Sequence, residues 1–463
     1  MQPNNDIQVK TKTNDLLPLA GTILMSICFA TYFLPAAYAL ETSLYNVWRV
    51  AICVVSCIVI ILYLAKCTIH IRWILLILFL LMYYLISTIL NSAGGGLTGI
   101  AFSILKVSGF ITLLEYGLTI NREMCIKSFL FAGILLCAVH YATFLEYRDY
   151  SRGMRQNAFN TYGEISSQHW FFFTHDNGSV FYFLPVLSGV WYYACEKNRG
   201  YWFAGLLSAL ALYMYWSLWT VTAMVAMTFA VALFVVICKT DCIRIRSWLS
   251  YRKALLIGVA FCVIILVFYS NDLFAIVANA LGKSTDFGRG RIWSRAISYF
   301  LKSPIIGVGL ENDTTIALKL GINHCHNILI QVLYTGGILS AVLLGLGLLK
   351  YGKAGKNSRG FISKPQAILC VAIIALFISA TFDWYLYMPI QFFPFVLYAY
   401  SEQPDELESK ALYADTFTTA PINSTASVSN LGYYSYYQIR KSVKPKYHTG
   451  IQGSGVNGGD IGV

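Results

Sequence analysis

The chain reads as an all-α membrane protein: a polytopic bundle of about twelve transmembrane helices, with a long outer-face loop that carries short interfacial helices. Three observations predict it. Of 463 residues, 57% are apolar and 12% charged, about half the charged share of an ordinary soluble domain. The apolar residues fall in runs of roughly 17–25, the length a helix needs to cross ~30 Å of hydrocarbon. The alternating segments of about ten residues that mark a membrane β-barrel do not occur.

In chain order, residues 1–15 form a polar segment placed in the cytoplasm. The run from Leu16 to Leu40 is too long for the apolar part of a signal peptide, so it is read as a retained first span. Spans follow near 47–66, 73–90, 97–119, 126–146, 169–195, 201–215, 219–238, 254–270, 325–349, 366–383 and 386–401. A tight turn at Trp216–Thr220 divides 201–238, which is too long for one helix. Pro389 and Pro394 predict a kinked or partly re-entrant last span. The transmembrane domain thus covers 16–401. The tail 402–463, rich in Gly, Ser and Thr without an apolar period, is expected to be disordered and cytoplasmic.

The formal charge of +12 would suggest nucleic acid in a soluble protein. Here it is assigned to the positive-inside rule, and no nucleic-acid partner is expected. With the N-terminus inside, lysine and arginine gather in the inner segments, from Lys66 and Arg72 to Lys350 and Lys353. The exceptions lie in two long outer loops. Residues 147–168 hold Arg148, Arg152 and Arg155; residues 271–323 hold Lys283, Arg289, Arg291, Arg295, Lys302 and Lys319. Long translocated loops are partly exempt from the rule. Their arginines suit an anion, because guanidinium meets phosphate bidentately. Of the 12 cysteines, most fall within spans or at their inner ends and only Cys325 maps to the outer face, so no disulfide framework is expected.

The second loop carries the chemistry. Ile292, Trp293, Ala296, Ile297 and Phe300 share one helical face, predicting a short interfacial helix with Arg289 and Arg291 at its N-terminal end. The positive end of that helix also favours an anion. Pro304 would end it, and Gly307 and Gly309 would return the chain sharply. His326 then opens the next span beside Asn327. Histidine has the unperturbed pKa suited to proton transfer near neutrality. His324 and His326 form a metal-like pair, but no HExxH, CxxC or acidic cluster in the sequence completes a set of three or four ligands. Neither metal nor cofactor is expected.

The order Gly288-Arg289-x-x-Ile292-Trp293, Ser303-Pro304-x-x-Gly307-x-Gly309 and His326-Asn327-x-x-Ile330, before the Gly-rich helix at Gly336-Gly337, resembles the C-terminal module of the O-antigen ligase and polymerase superfamily. Thr174-His175-Asp176-Asn177-Gly178 is similar to that family's upstream His-Pro-Asn motif. The resemblance spans roughly 140–350. It implies metal-free glycosyl transfer outside the bacterial cytoplasmic membrane, from a glycan on polyprenyl (undecaprenyl) diphosphate. It also implies Arg289 at the donor diphosphate and His326 at the reaction centre oriented by Asn327, with His175, Asn177, Gly307 and Gly309 in support. Many members carry a Thr-x-Ser-Arg-like element where this chain has Trp219-Thr220-Val221-Thr222. Without that arginine, Arg152 or Arg155, together with Arg291, is the expected replacement at the diphosphate.

The leading expectation is a polymerase of lipid-linked repeat units for O-antigen, capsule or exopolysaccharide, working in the bilayer with other polysaccharide-assembly proteins. The alternatives are a ligase that moves a finished glycan to a lipid core or other acceptor, and a transporter of lipid-linked sugar. A transporter would use ionisable residues near mid-membrane, for which Lys106, Glu115, His140 and Asp383 are the candidates.

Overall fold

The computed structural model describes residues 13–33, 43–94, 96–147, 158–159, 165–166, 171–174, 177–240, 243–269, 289–322, 324–352, 361–383, 386 and 388–401. The expected cytoplasmic tail, most of the N-terminal segment, most of the first outer loop, and residues 271–288 and 323 of the second therefore lie outside the described residues. So do Arg152, Arg155 and His175.

The helices are α1 (Thr13–Tyr32), α2 (Leu44–Lys66), α3 (Ile71–Leu90, with a π-helical turn at Leu81–Ile86), α4 (Leu97–Ile120) and α5 (Arg122–Tyr147). A 3₁₀ turn at Asn177–Ser179 leads into α6 (Val180–Lys197), followed by α7 (Tyr201–Ser217), α8 (Val221–Lys239), α9 (Ile243–Trp248) and α10 (Tyr251–Tyr269). Then come α11 (Arg289–Phe300), α12 (Asp313–Leu320), α13 (Ile328–Leu349), α14 (Lys364–Ala380), a 3₁₀ turn at Pro389–Phe392 and α15 (Phe393–Ala399). The first outer loop adds a feature the sequence did not suggest, a two-residue antiparallel β-pair joining Ala158–Phe159 to Ile165–Ser166.

Seven helices among the described residues are long and apolar enough to cross a membrane: α2, α3, α4, α5, α8, α10 and α13. Among the described residues, α1, α6, α7, α14 and α15 stand where further spans were expected, but they are shorter or less apolar. Apolar residues cover the outside of the bundle. On α2, Val47, Val50, Val54, Ile58 and Ile61 are all more than half exposed at the three-to-four-residue spacing of one helix face. An apolar stripe of this kind turned outward suits lipid rather than water. Polar pairs turn inward, as where the Tyr32 and Ser56 hydroxyls meet at 2.9 Å.

At the centre runs α14, in which nearly every side chain is buried, as an all-round apolar helix must be. Ser363 and Gln366 form a capping box at its start, satisfying amide groups that would otherwise be orphaned. The last expected span is broken as its prolines predicted: Pro389 opens the 3₁₀ turn and Pro394 lies in the first turn of α15. One charged pair is enclosed by the bundle. Arg72 donates to Glu115 bidentately at 2.7 and 2.9 Å, and the Tyr400 hydroxyl donates to the same carboxylate. This ties α3, α4 and the residue after α15 together, and it occupies one of the ionisable groups a transporter would need.

The cysteine expectation needs one correction. Cys195 and Cys238 form a disulfide between the last turns of α6 and α8, with Cα atoms 6.2 Å apart, within the range a bridge requires. Sequence position gave no sign of it, because these residues are 43 apart and only the α6–α8 packing brings them together.

Candidate active site

A second, smaller apolar core stands beside the main one. It joins Ile292, Trp293 and Ala296 of α11 to Ile316 and Leu320 of α12, Cys325, and Ile330 and Tyr334 of α13. The predicted interfacial helix is α11, with Arg289 and Arg291 in its first turn. Its apolar face is narrower than the spacing suggested, because Ile297 is exposed.

The loop after α11 is spliced into α13. In an unbroken helix, Tyr334 O and Thr335 O would accept from Ile338 N and Leu339 N. Here they accept instead from Val308 N at 2.7 Å and Gly309 N at 2.9 Å. Ile338 N and Leu339 N donate to Pro304 O at 2.9 Å and Ile305 O at 3.1 Å. The break is at Gly337, with φ 66° and ψ −170°. Backbone groups freed within a membrane helix are thereby satisfied by protein. The contact admits no side chain. A Cβ on Gly307 would lie 2.5 Å from Thr335 C and O, and one on Gly337 would lie 2.3 Å from Ile305 O. From the other side, Ser87 Oγ donates to Ile306 O at 2.6 Å and Asn91 Nδ2 to Gly307 O at 3.1 Å, locking the loop onto the end of α3. Gly307 and Gly309 therefore permit this splice.

The His-Cys-His turn is held through its backbone. Trp293 Nε1 donates to Cys325 O at 2.8 Å, and Cys325 N donates to Gln331 Oε1 at 2.7 Å. Gln331 Nε2 in turn donates to Thr335 Oγ1 at 3.0 Å. Replacing Trp293 by Phe keeps the ring in the core but orphans the Cys325 carbonyl, so a loss of about 1–3 kcal/mol is expected. Thermal unfolding of the purified protein measures it, and an unshifted midpoint would show that the bond does not restrain the turn. Asn327 is bonded to backbone alone among the described contacts. Its Oδ1 accepts from Leu329 N and Ile330 N as the N-cap of α13, and its Nδ2 donates to Thr381 O at 3.0 Å. It caps the start of α13 and joins it to the residue that follows α14.

His326 takes φ 48°, a left-handed conformation in which an L-residue with a Cβ is strained. Its Nδ1 lies 3.6 Å from Asp383 Oδ1, and His324 Nε2 lies 3.3 Å from the same oxygen. The two imidazole centroids are 3.9 Å apart. The Arg289 guanidinium sits 5.5 Å from the Phe382 ring centroid, beside Asp383. Burial above all, with the charges of His324 and Arg289, pulls the His326 pKa down to about 4, against the opposite pull of Asp383. The ring is thus neutral near pH 7 and can accept a proton. Burial pushes the Cys325 thiol up, leaving it unreactive.

The fold brings Arg289 within electrostatic reach of His326 and sets His324 and Asp383 beside that histidine. In the sequence Asp383 stood out only as one of four ionisable candidates for a transport route; nothing there paired it with residues nearly sixty positions earlier. Arg291 is exposed on the first turn of α11. Asn177 opens the turn into α6, with no hydrogen bond or ion pair to His326 among the described contacts. A set of two imidazoles and one carboxylate could also hold a metal, since the fold provides the third ligand that the sequence lacked.

Residues 170–345 match the family model described as O-antigen ligase, which supports the O-antigen ligase and polymerase superfamily. No curated protein and no solved structure matches the chain.

Proposed function

We propose, taking the O-antigen ligase domain at residues 170–345 as premise, that this chain is a membrane glycosyltransferase that polymerises glycans carried on a polyprenyl diphosphate. The observation that carries the reading is the convergence of Arg289, His326 and Asp383 at one end of the bundle. By the distribution of lysine and arginine, that end faces outward from the bacterial cytoplasmic membrane and both termini lie inside.

The chemistry follows from the groups present. The acceptor sugar hydroxyl attacks the anomeric carbon of the donor, and the bond from that carbon to the diphosphate oxygen breaks. The leaving diphosphate takes the electron pair, and the hydroxyl proton passes to His326. Asp383 faces His326 Nδ1 at 3.6 Å, beyond a hydrogen bond, and its negative charge favours the tautomer with the proton there, so that Nε2 accepts. Arg289 stabilises the departing charge, a preorganised cation where negative charge develops. Arg291, exposed on the same first turn of α11, adds a second cation for the diphosphate; Arg152 or Arg155, the other expected contributor, lies outside the described residues. An arriving diphosphate also offsets the Arg289 charge, which makes His326 a stronger base once donor is bound.

Two features count against a transporter. Glu115 is committed to Arg72 and Tyr400, and His140 Nδ1 accepts from Phe173 N. The test is purified protein given a lipid-diphosphate-linked repeat unit. Elongated product with release of polyprenyl diphosphate is expected; movement of the lipid across vesicles without extension would overturn the reading. A deletion strain separates the two transferases. Single repeats on the carrier mark a lost polymerase, whereas long chains still on the carrier mark a lost ligase.

A further inference from the structure

We infer that His324, His326 and Asp383 form a binding site for a transition-metal dication of the zinc class, and that its occupation stops glycosyl transfer. The three ligating atoms lie within 4.8 Å of one another. The separations from Asp383 Oδ1 to His324 Nε2 and His326 Nδ1, 3.3 and 3.6 Å, are long for charge-assisted hydrogen bonds, which run ~2.7–2.9 Å. They match the ligand–ligand edge of a tetrahedron around zinc, about 3.4 Å for bonds of ~2.0–2.2 Å. A second observation points the same way: His326 Nδ1 is buried without a hydrogen-bond partner.

The ligand set selects the ion. Two imidazoles and one carboxylate suit zinc and its neighbours, whereas magnesium and calcium prefer oxygen alone. Three protein ligands leave a fourth position open. The nearby Arg289 charge opposes a cation, so the site is exchangeable rather than structural.

The consequence for transfer rests on the proposed role of His326. In the metal-free protein, Asp383 favours the proton on Nδ1 and leaves Nε2 to accept. A metal on Nδ1 displaces that proton and fixes the neutral ring with its hydrogen on Nε2, so the acceptor nitrogen is lost. Metal and proton-accepting tautomer compete for one nitrogen.

The experiment uses the full chain, chelator-treated and in nanodiscs, titrated with zinc chloride. Calorimetry and X-ray absorption report binding, and elongation of the lipid-linked repeat reports activity. One zinc per chain with nitrogen and oxygen ligands is expected, and a rate that falls as the site fills and returns with chelator. His324→Gln should weaken both binding and zinc sensitivity at least about tenfold, each judged against its own metal-free rate. Absence of zinc binding, or equal binding by His324→Gln, overturns the site. A rate that ignores bound zinc, or that requires it, overturns the inhibition. Zinc bound as described, in protein that transfers no glycan, leaves the metal site standing and removes the functional reading instead.

Discussion

Replacing His326 is expected to cut transfer by about 10²–10⁴-fold, the usual contribution of a positioned proton acceptor, while the protein stays folded. The variant must respect the backbone. At φ 48°, alanine would be strained, whereas asparagine tolerates the left-handed region. His326→Asn therefore removes the imidazole with the least disturbance of the turn. Arg289→Ala is expected to cost about 10²–10³-fold through lost stabilisation of the leaving diphosphate. Arg289→Lys should recover only part of that loss, because an ammonium cannot pair bidentately. Both are read as accumulation of lipid-linked single units with little polymer, in membranes where the variant is present at wild-type level. Normal polymer length from well-expressed His326→Asn would remove His326 from the reaction.

Gly337→Ala is expected to prevent assembly of the active-site end. The methyl group would lie 2.3 Å from Ile305 O at φ 66°, so it meets both a backbone clash and a conformation that costs ~1–2 kcal/mol for a residue with a Cβ. Relief requires withdrawing the 303–309 loop, which would strand the carbonyls of Pro304, Ile305, Tyr334 and Thr335 along with their four donors. A loss above about 4 kcal/mol follows, seen as a lowered unfolding temperature or failure to purify as a single species. The control lies on the same helix. Gly345 has nothing within 4 Å of its would-be Cβ, so Gly345→Ala should be neutral or stabilising by roughly 0.5–1 kcal/mol. If the two substitutions behaved alike, the splice would not be what holds this region.

Much of this architecture could be read before any coordinates. The apolar runs announced helices and membrane, the prolines announced the broken last span, and the spacing from Ile292 to Ala296 announced α11. These are local properties: periodicity, run length and the special backbone needs of proline act over a few neighbouring residues. The motifs likewise brought Arg289 and His326 forward as candidates. What they left open was how the glycines serve the site and what Asn327 touches. Gly307 stood out only as a turn glycine and Gly337 only as part of a Gly-rich helix, yet each is required because the other's strand of backbone passes where its side chain would be.

By itself, then, the sequence determined a bundle of apolar helices with a basic, arginine-bearing loop beside a histidine turn. Length and polarity decide whether a segment can enter a membrane, whatever it later packs against. Only the tertiary structure decided that Asp383 faces both histidines, that Cys195 meets Cys238, and that the loop from Pro304 to Gly309 replaces a stretch of the α13 hydrogen-bond ladder. Each of these joins residues far apart in the chain through helix packing. Pairing of that kind depends on which helix faces which, and a single sequence holds no local signal for it.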